Sequence, residues 1–152
     1  MSSNHAVHEV TVIPRQVAGV HAKVRRGFVG VEFGPYLNQV YAAGKMGAVS
    51  LDGQNVFIYR SATETELTCD FCVGVTAPFT AVGNVVPLET PGGQAAMTTH
   101  VGPYTGIADA NAAIVEWCRA NGRDRAGPSW EVYGHWSNDP AQLRTDIYYL
   151  LK

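Results

Sequence analysis

Along the chain, stretches in which apolar residues recur every second position are separated by two in which they recur every three or four. Val10, Val12, Val17, Val20 and Val24, with Pro14 between them, predict a bent or interrupted edge strand, preceded by a loose end over residues 1–6. Phe33, Leu37, Val40 and Tyr41 then fall at helical spacing, with Pro35 in the first turn and Gly44 or Gly47 as the stop. Ser50 to Gly53 reads as a turn, leading into a strand Val56-Phe57-Ile58-Tyr59 and a second over 64–75 centred on Leu67, Cys69, Phe71 and Val73. A connector over 77–92 carries Pro78, Pro87 and Pro91. Beyond it come a strand over 95–101 and a helix on which Ile107, Ala110, Ile114, Trp117, Cys118 and Asn121 share one face. Thr105 is the expected N-cap of that helix and Gly122 its stop, with Asp109 placed to favour the positive end. A strand over 129–136, opened by Gly127-Pro128, and the alternation Leu143, Thr145, Ile147, Tyr149, Leu151 complete the chain.

This order is β-α-β-β twice, and residues repeat as well as pattern. A shift of 74 pairs Gly53 with Gly127, Phe57 with Glu131 and Tyr59 with Tyr133; a shift of 76 pairs Leu67 with Leu143 and Asp70 with Asp146. The second hairpin loop is therefore two residues longer. Gly34-Pro35-Tyr36 recurs as Gly102-Pro103-Tyr104 at a shift of 68, which the strand register does not accommodate, and that match is set aside. The expected fold is α+β, one domain over 1–152 made of two β-α-β-β modules, about 7–76 and 93–152, related by a pseudo-twofold. A ligand groove is expected at the seam. Phe57, Tyr59, Glu131 and Tyr133 should gather on one wall, with Asp146 and Tyr148 on the matching face of the adjoining strand.

The most unusual stretch is Ser129-Trp130-Glu131-Val132-Tyr133-Gly134-His135-Trp136. Alternation puts Trp130, Val132 and Trp136 on one face and Glu131, Tyr133 and His135 on the other. If the Glu131 face is buried, the carboxylate must be paired, protonated or awaiting a cationic or hydrogen-bonding ligand. If it is open to water, Glu131 is only a solvated strand position. Aromatic residues around few carboxylates suit a flat, apolar molecule that can carry positive charge.

Composition narrows the classes. A formal charge of −2 and scattered basic residues, Arg25-Arg26 being the only adjacent pair, give no footprint for nucleic acid. No apolar run reaches membrane-spanning length, and Met1-Ser2-Ser3-Asn4-His5 lacks the features of a signal peptide, so a cytoplasmic protein is expected. Cys69 and Cys72 point to opposite faces of a strand and cannot chelate together, and with Cys118 they read as packing residues; no metal or cofactor is expected. No Ser-His-Asp order or phosphate loop occurs. His135 could partner Glu131 in activating water, although a histidine at a strand end is more often exposed. His100 reads as a structural hydrogen-bonding residue, and His21 is uninformative. Trp117 and Trp130 are assigned to the core, and Trp136 to core or pocket rim.

His100-Val101-Gly102-Pro103-Tyr104, Trp117-Cys118-Arg119-Ala120-Asn121-Gly122, Gly127-Pro128, Glu131-Val132-Tyr133, Asn138-Asp139-Pro140 and Leu143-Arg144-Thr145-Asp146-Ile147-Tyr148 come in an order that resembles the C-terminal half of GyrI-like domains. The N-terminal half is similar only through Gly53 and Val56-Phe57-Ile58-Tyr59-Arg60. The resemblance implies an effector-binding domain of SHS2-type modules, here without a helix-turn-helix segment and so a stand-alone member. It implies that Glu131 meets cationic aromatic ligands among tyrosines, with the Thr145–Tyr148 run contributing to the pocket; Tyr104 and Trp136 are further candidates for its lining. Asp146 stands where Glu is frequent and reaches less far. Three functions follow. The first is sensing or sequestration of a hydrophobic small molecule. The second is a hydrolase that opens cyclopropane rings of DNA-alkylating natural products, with Glu131 as general base and Tyr133 polarising the leaving carbonyl. The third is a gyrase-inhibitor-like protein contact, for which no surface run speaks. A raised carboxylate pKa in an apolar pocket would serve either of the first two. A homodimer is compatible with each.

Overall fold

Pro14 has no backbone N–H to donate, and the chain changes sheet partner around it. The computed structural model describes residues 5–152 and divides there into two units: a central one, Pro14–Thr90, and a terminal one made of the segment ending at Ile13 together with Pro91–Lys152. The strands are β1 (His8–Val12), β2 (Gln16–Arg25), β3 (Leu51–Ala62), β4 (Glu66–Val75), β5 (Val86–Glu89), β6 (Gly93–Val101), β7 (Arg125–Tyr133) and β8 (Arg144–Leu151). The helices are α1 (Val29–Glu32), α2 (Gly34–Lys45) and α3 (Ile107–Ala120). The fold is α+β, with antiparallel strand pairing.

In the central unit the strand order is β3-β4-β2-β5. Phe57 on β3 stands opposite Phe71 on β4, which stands opposite Val20 on β2. These residues make the face on which α2 lies, contributing Leu37, Val40 and Ala43 to the core. Phe57 and Phe71 meet edge to face at 4.8 Å, and Phe33 and Tyr36 add rings at 5.4 Å from Phe57 and 5.7 Å from Phe71. Pro35 falls in the first turn of α2, as its spacing predicts, and Gly47 at φ +78° lets the chain leave the helix. Of the turn expected at Ser50 to Gly53, Leu51 to Gly53 instead open β3. Gly53, at φ +82°, sits inside a register irregularity between Leu51 and Asn55, so the glycine serves a bulge. The connector likewise contains a strand, β5, whose Pro87 is tolerated at the edge next to β2. Gly19 admits no side chain: a Cβ there would lie 2.5 Å from Cys72 Sγ and 2.9 Å from Leu88 Cδ1. Gly19→Ala is expected to cost about 1–3 kcal/mol through overpacking, read as a lowered denaturation midpoint at unchanged slope.

The terminal unit has the order β1-β6-β8-β7. The bent or interrupted edge strand expected over 8–24 is two strands in two units, with Val10 of β1 opposite Ala95 of β6. The segment up to 13 accordingly joins 91–152, and the connector residues up to 90 join the central unit. Positions 1–4 of the expected loose end lie outside the described residues, but His5 and Ala6 are anchored by hydrogen bonds. Helix α3 buries Ala110, Ile114 and Cys118 against Ala96, Ile147 and Leu151, with Trp117 and Tyr149 packed at the side. Thr105 does not cap this helix. It lies in a tight turn over Tyr104–Gly106, and Gly106 takes the cap position without a side-chain bond. Gly122, at φ +64°, ends α3 as expected. Trp130 is buried, in keeping with its core assignment. Burial pushes the Cys69 thiol up to about 12 and raises those of Cys72 and Cys118, so all three are packing groups in their protonated form. Among the described residues no cluster of metal-ligating side chains occurs, and no helix is long and apolar enough to cross a membrane.

Candidate ligand-binding site

Strand register decides which side chains share a face, because directly opposed residues point the same way. Glu131 on β7 stands opposite Ile147 on β8, which stands opposite Thr98 on β6. The next row on that face is Tyr133, Thr145 and His100. Ile147 belongs to the core under α3, so Glu131 and Tyr133 lie on the helix-covered side. Glu131 is only 6% exposed, which removes the solvated-strand reading. The Tyr133 hydroxyl donates to Glu131 Oε1 at 2.6 Å, a reach made possible by their i, i+2 placement on one strand face. Tyr104, from the turn before α3, sets its ring edge-on to Tyr133 at 5.7 Å. A buried carboxylate, a hydroxyl holding one of its oxygens and two tyrosine rings are thereby assembled from β7 and one turn.

Tyr149 joins this face, since it follows Ile147 by two and pairs with Ser129. Its hydroxyl donates to Asn111 Oδ1 of α3 at 2.7 Å. Burial raises its pKa, and the nearby Glu131 charge raises it further, so Tyr149 remains a neutral donor. The strand alternation contained this residue, but the register that places it beside Glu131 did not follow from the sequence. Thr145, fully buried in the Tyr133 row, is the buried side-chain polar group left without a hydrogen-bond partner among the described residues.

Asp146 and Tyr148 do not share the face of Glu131. They stand opposite Val132 and Trp130, on the other side of the sheet, because the true partner of Glu131 is Ile147 and a one-residue slip reverses a strand's faces. There Tyr148 stacks on Trp130 at 5.1 Å, and Asp146 accepts from Thr99 at 2.8 Å and from Arg144 at 3.2 Å. Burial raises the Tyr148 pKa, with the Asp146 charge adding to it. Phe57 and Tyr59 lie on the α2-covered face of the central unit, Phe57 in its ring cluster and Tyr59 opposite Cys69. β7 ends at Tyr133, so His135 and Trp136 fall beyond the strand, and Trp136 is 72% exposed. His100 has the structural role expected of it, bonded through Nε2 to the Pro103 carbonyl at 2.7 Å.

His21 gives no hint in the sequence, yet it closes a charged group in the central unit. Its Nδ1 lies 2.6 Å from one oxygen of the buried Asp70, whose other oxygen accepts from Arg60 Nε at 2.9 Å. The group bridges β2, β4 and β3 and compensates a buried carboxylate. Asp70→Asn is expected to cost about 1–3 kcal/mol by leaving these donors poorly matched, measured by chemical denaturation. The central unit also holds a cleft of about 280 Å³ lined chiefly by Val17, Val75, Phe79 and Pro87; it contains no titratable group and so lacks the means to select a charged ligand.

These features define a class, a mixed fold in which helices cover antiparallel sheet and a carboxylate is sunk among tyrosines. Residues 5–152 match the GyrI-like small molecule binding domain, and the chain belongs to that family. No curated protein matches it. Among solved structures, the EcmrR C-terminal domain is similar with a TM-score of 0.80 at 19% identity, covering 99% of each chain. SAV2435 bound to tetraphenylphosphonium is similar at 0.66 and 8% identity, covering 99% of this chain and 94% of the other. A hydrolase from Listeria innocua is similar at 0.63 and 14% identity, covering 96% and 91%. Identities this low establish a shared fold.

Proposed function

We propose that this protein binds a hydrophobic, aromatic cation, with Glu131 as charge partner and Tyr133 and Tyr104 as the aromatic wall. The observation that carries the reading is the burial of Glu131 on β7 with the Tyr133 hydroxyl on its Oε1. A carboxylate is costly to bury, and a bound cation offsets that cost while the ring faces attract the same charge. The Thr145 hydroxyl, one row along, is available to a polar atom of the ligand or to a water beside it. That one structural neighbour holds tetraphenylphosphonium supports the choice of a lipophilic cation as probe. Isothermal titration with tetraphenylphosphonium should give saturable one-to-one binding; no heat above dilution at millimolar probe would overturn the reading.

Catalysis is the second reading, favoured by the same Tyr133–Glu131 hydrogen bond. It places a potential general base beside a hydroxyl that can polarise a carbonyl once it turns from Glu131 to the substrate. Incubation with a cyclopropane-bearing DNA-alkylating natural product, followed by chromatography, separates the two: ring-opened product made faster than in buffer assigns the site to hydrolysis. We further infer that the two units are copies of one β-α-β-β module. Phe57 opposes Phe71 as Glu131 opposes Ile147, and Ile58 opposes Asp70 as Val132 opposes Asp146, which is the sequence repeat under shifts of 74 and 76.

A further inference from the structure

We propose that His5 and His100 form an acid-released latch holding residues 5–7 onto the terminal unit. His100 Nε2 lies 2.7 Å from the Pro103 carbonyl oxygen, which can only accept, so Nε2 carries a hydrogen. Neutral His100 therefore presents a lone pair at Nδ1, and His5 Nε2, 2.9 Å away, donates to it. The two rings lie 5.1 Å apart at 37°. Alongside, the Thr98 hydroxyl donates to the Ala6 carbonyl at 2.6 Å, and Val7 packs on the core under α3. His100 and Thr98 end the rows that begin at Tyr133 and Glu131, so the latch closes the far end of that face.

One added proton can be accommodated on the His5 ring, whose Nε2–H still donates to His100 Nδ1. A second sets N–H against N–H and two positive rings side by side, and the bond is lost. Among the described residues, groups from three elements face the pair. Asp109 of α3 favours protonated His5, Thr145 of β8 stands opposite His100 without a charge, and the turn supplies the Pro103 carbonyl and Gly106 against the His100 ring. Burial, then His100, lower the His5 pKa from its ordinary 6.5, outweighing Asp109. A lowered folded-state pKa means that docking is favoured in full above about 6.5 and weakens as pH falls below it.

The test is backbone ¹⁵N relaxation at Ala6 and Val7 at pH 7.5 and 5.0, on wild type and His5→Phe, which keeps a ring without a titrating nitrogen. Wild type should change from order parameters of about 0.85 to below about 0.6, while His5→Phe stays unchanged between the two pH values. Imidazole ¹⁵N shifts at pH 7.5 should show His100 protonated at Nε2. Wild-type order parameters equal at both pH values, low values already at pH 7.5, or the same acid loosening in His5→Phe would each overturn the latch.

Discussion

Replacing Glu131 by Gln is expected to weaken tetraphenylphosphonium binding about 10- to 100-fold, with little change in thermal stability. Gln has the volume of Glu, and its carbonyl oxygen can still accept from the Tyr133 hydroxyl, so the substitution removes the charge and keeps that hydrogen bond. An interaction with a buried charged group is worth about 1.5–3 kcal/mol, and each 1.4 kcal/mol is a factor of ten in Kd. Titration calorimetry reads the change directly, and a melting curve of the same sample checks that the fold persists. Unaltered affinity in Glu131→Gln would mean that the carboxylate is not the charge partner.

Phe71→Ala should destabilise the protein by about 3–5 kcal/mol, the larger effect on the fold. Phe71 is fully buried on β4, edge-on to Phe57 and stacked with Tyr36, with Phe33 at 6.4 Å. Truncation opens a cavity in the centre of that ring cluster, and the strands on either side, fixed by their ladders, can collapse into it only partly. For a chain of this length the loss corresponds to a Tm lowered by about 6–20 °C. Since domains commonly have 5–15 kcal/mol in total, a substantial share of the stability goes with one side chain. A shift under about 2 °C by calorimetry would contradict this description of the core.

The sequence carried the elements whose signal is local. Alternation fixed the strands around Phe71 and Ile147, and helical spacing fixed α2 and α3, because periodicity is written into neighbouring residues. It also singled out Glu131, since a carboxylate between large apolar strand residues is conspicuous wherever the strand lies. What it lacked was partner choice between distant segments. Whether Asp146 or Ile147 faces Glu131 depends on a one-residue register between β7 and β8, and the wrong choice carried Asp146 and Tyr148 to the wrong face. The departure of β1 to pair with β6, over 80 residues away, is equally invisible to local pattern. Glycines were read by their commonest use. Gly53 suggested a turn and Gly127 the opening of a strand, whereas both have positive φ inside register irregularities of β3 and β7. His21 shows its role only once β2 is laid beside β4, opposite Asp70.

The most direct test of the central claim is a ¹H–¹⁵N NMR titration of the wild-type protein with tetraphenylphosphonium. Saturating shifts should concentrate on the amides of Glu131, Val132, Tyr133 and Tyr104, and be lost at the same probe concentration in Glu131→Gln. Shifts confined to the cleft around Val17, Val75 and Phe79, with Glu131 and Tyr133 unmoved, would contradict it.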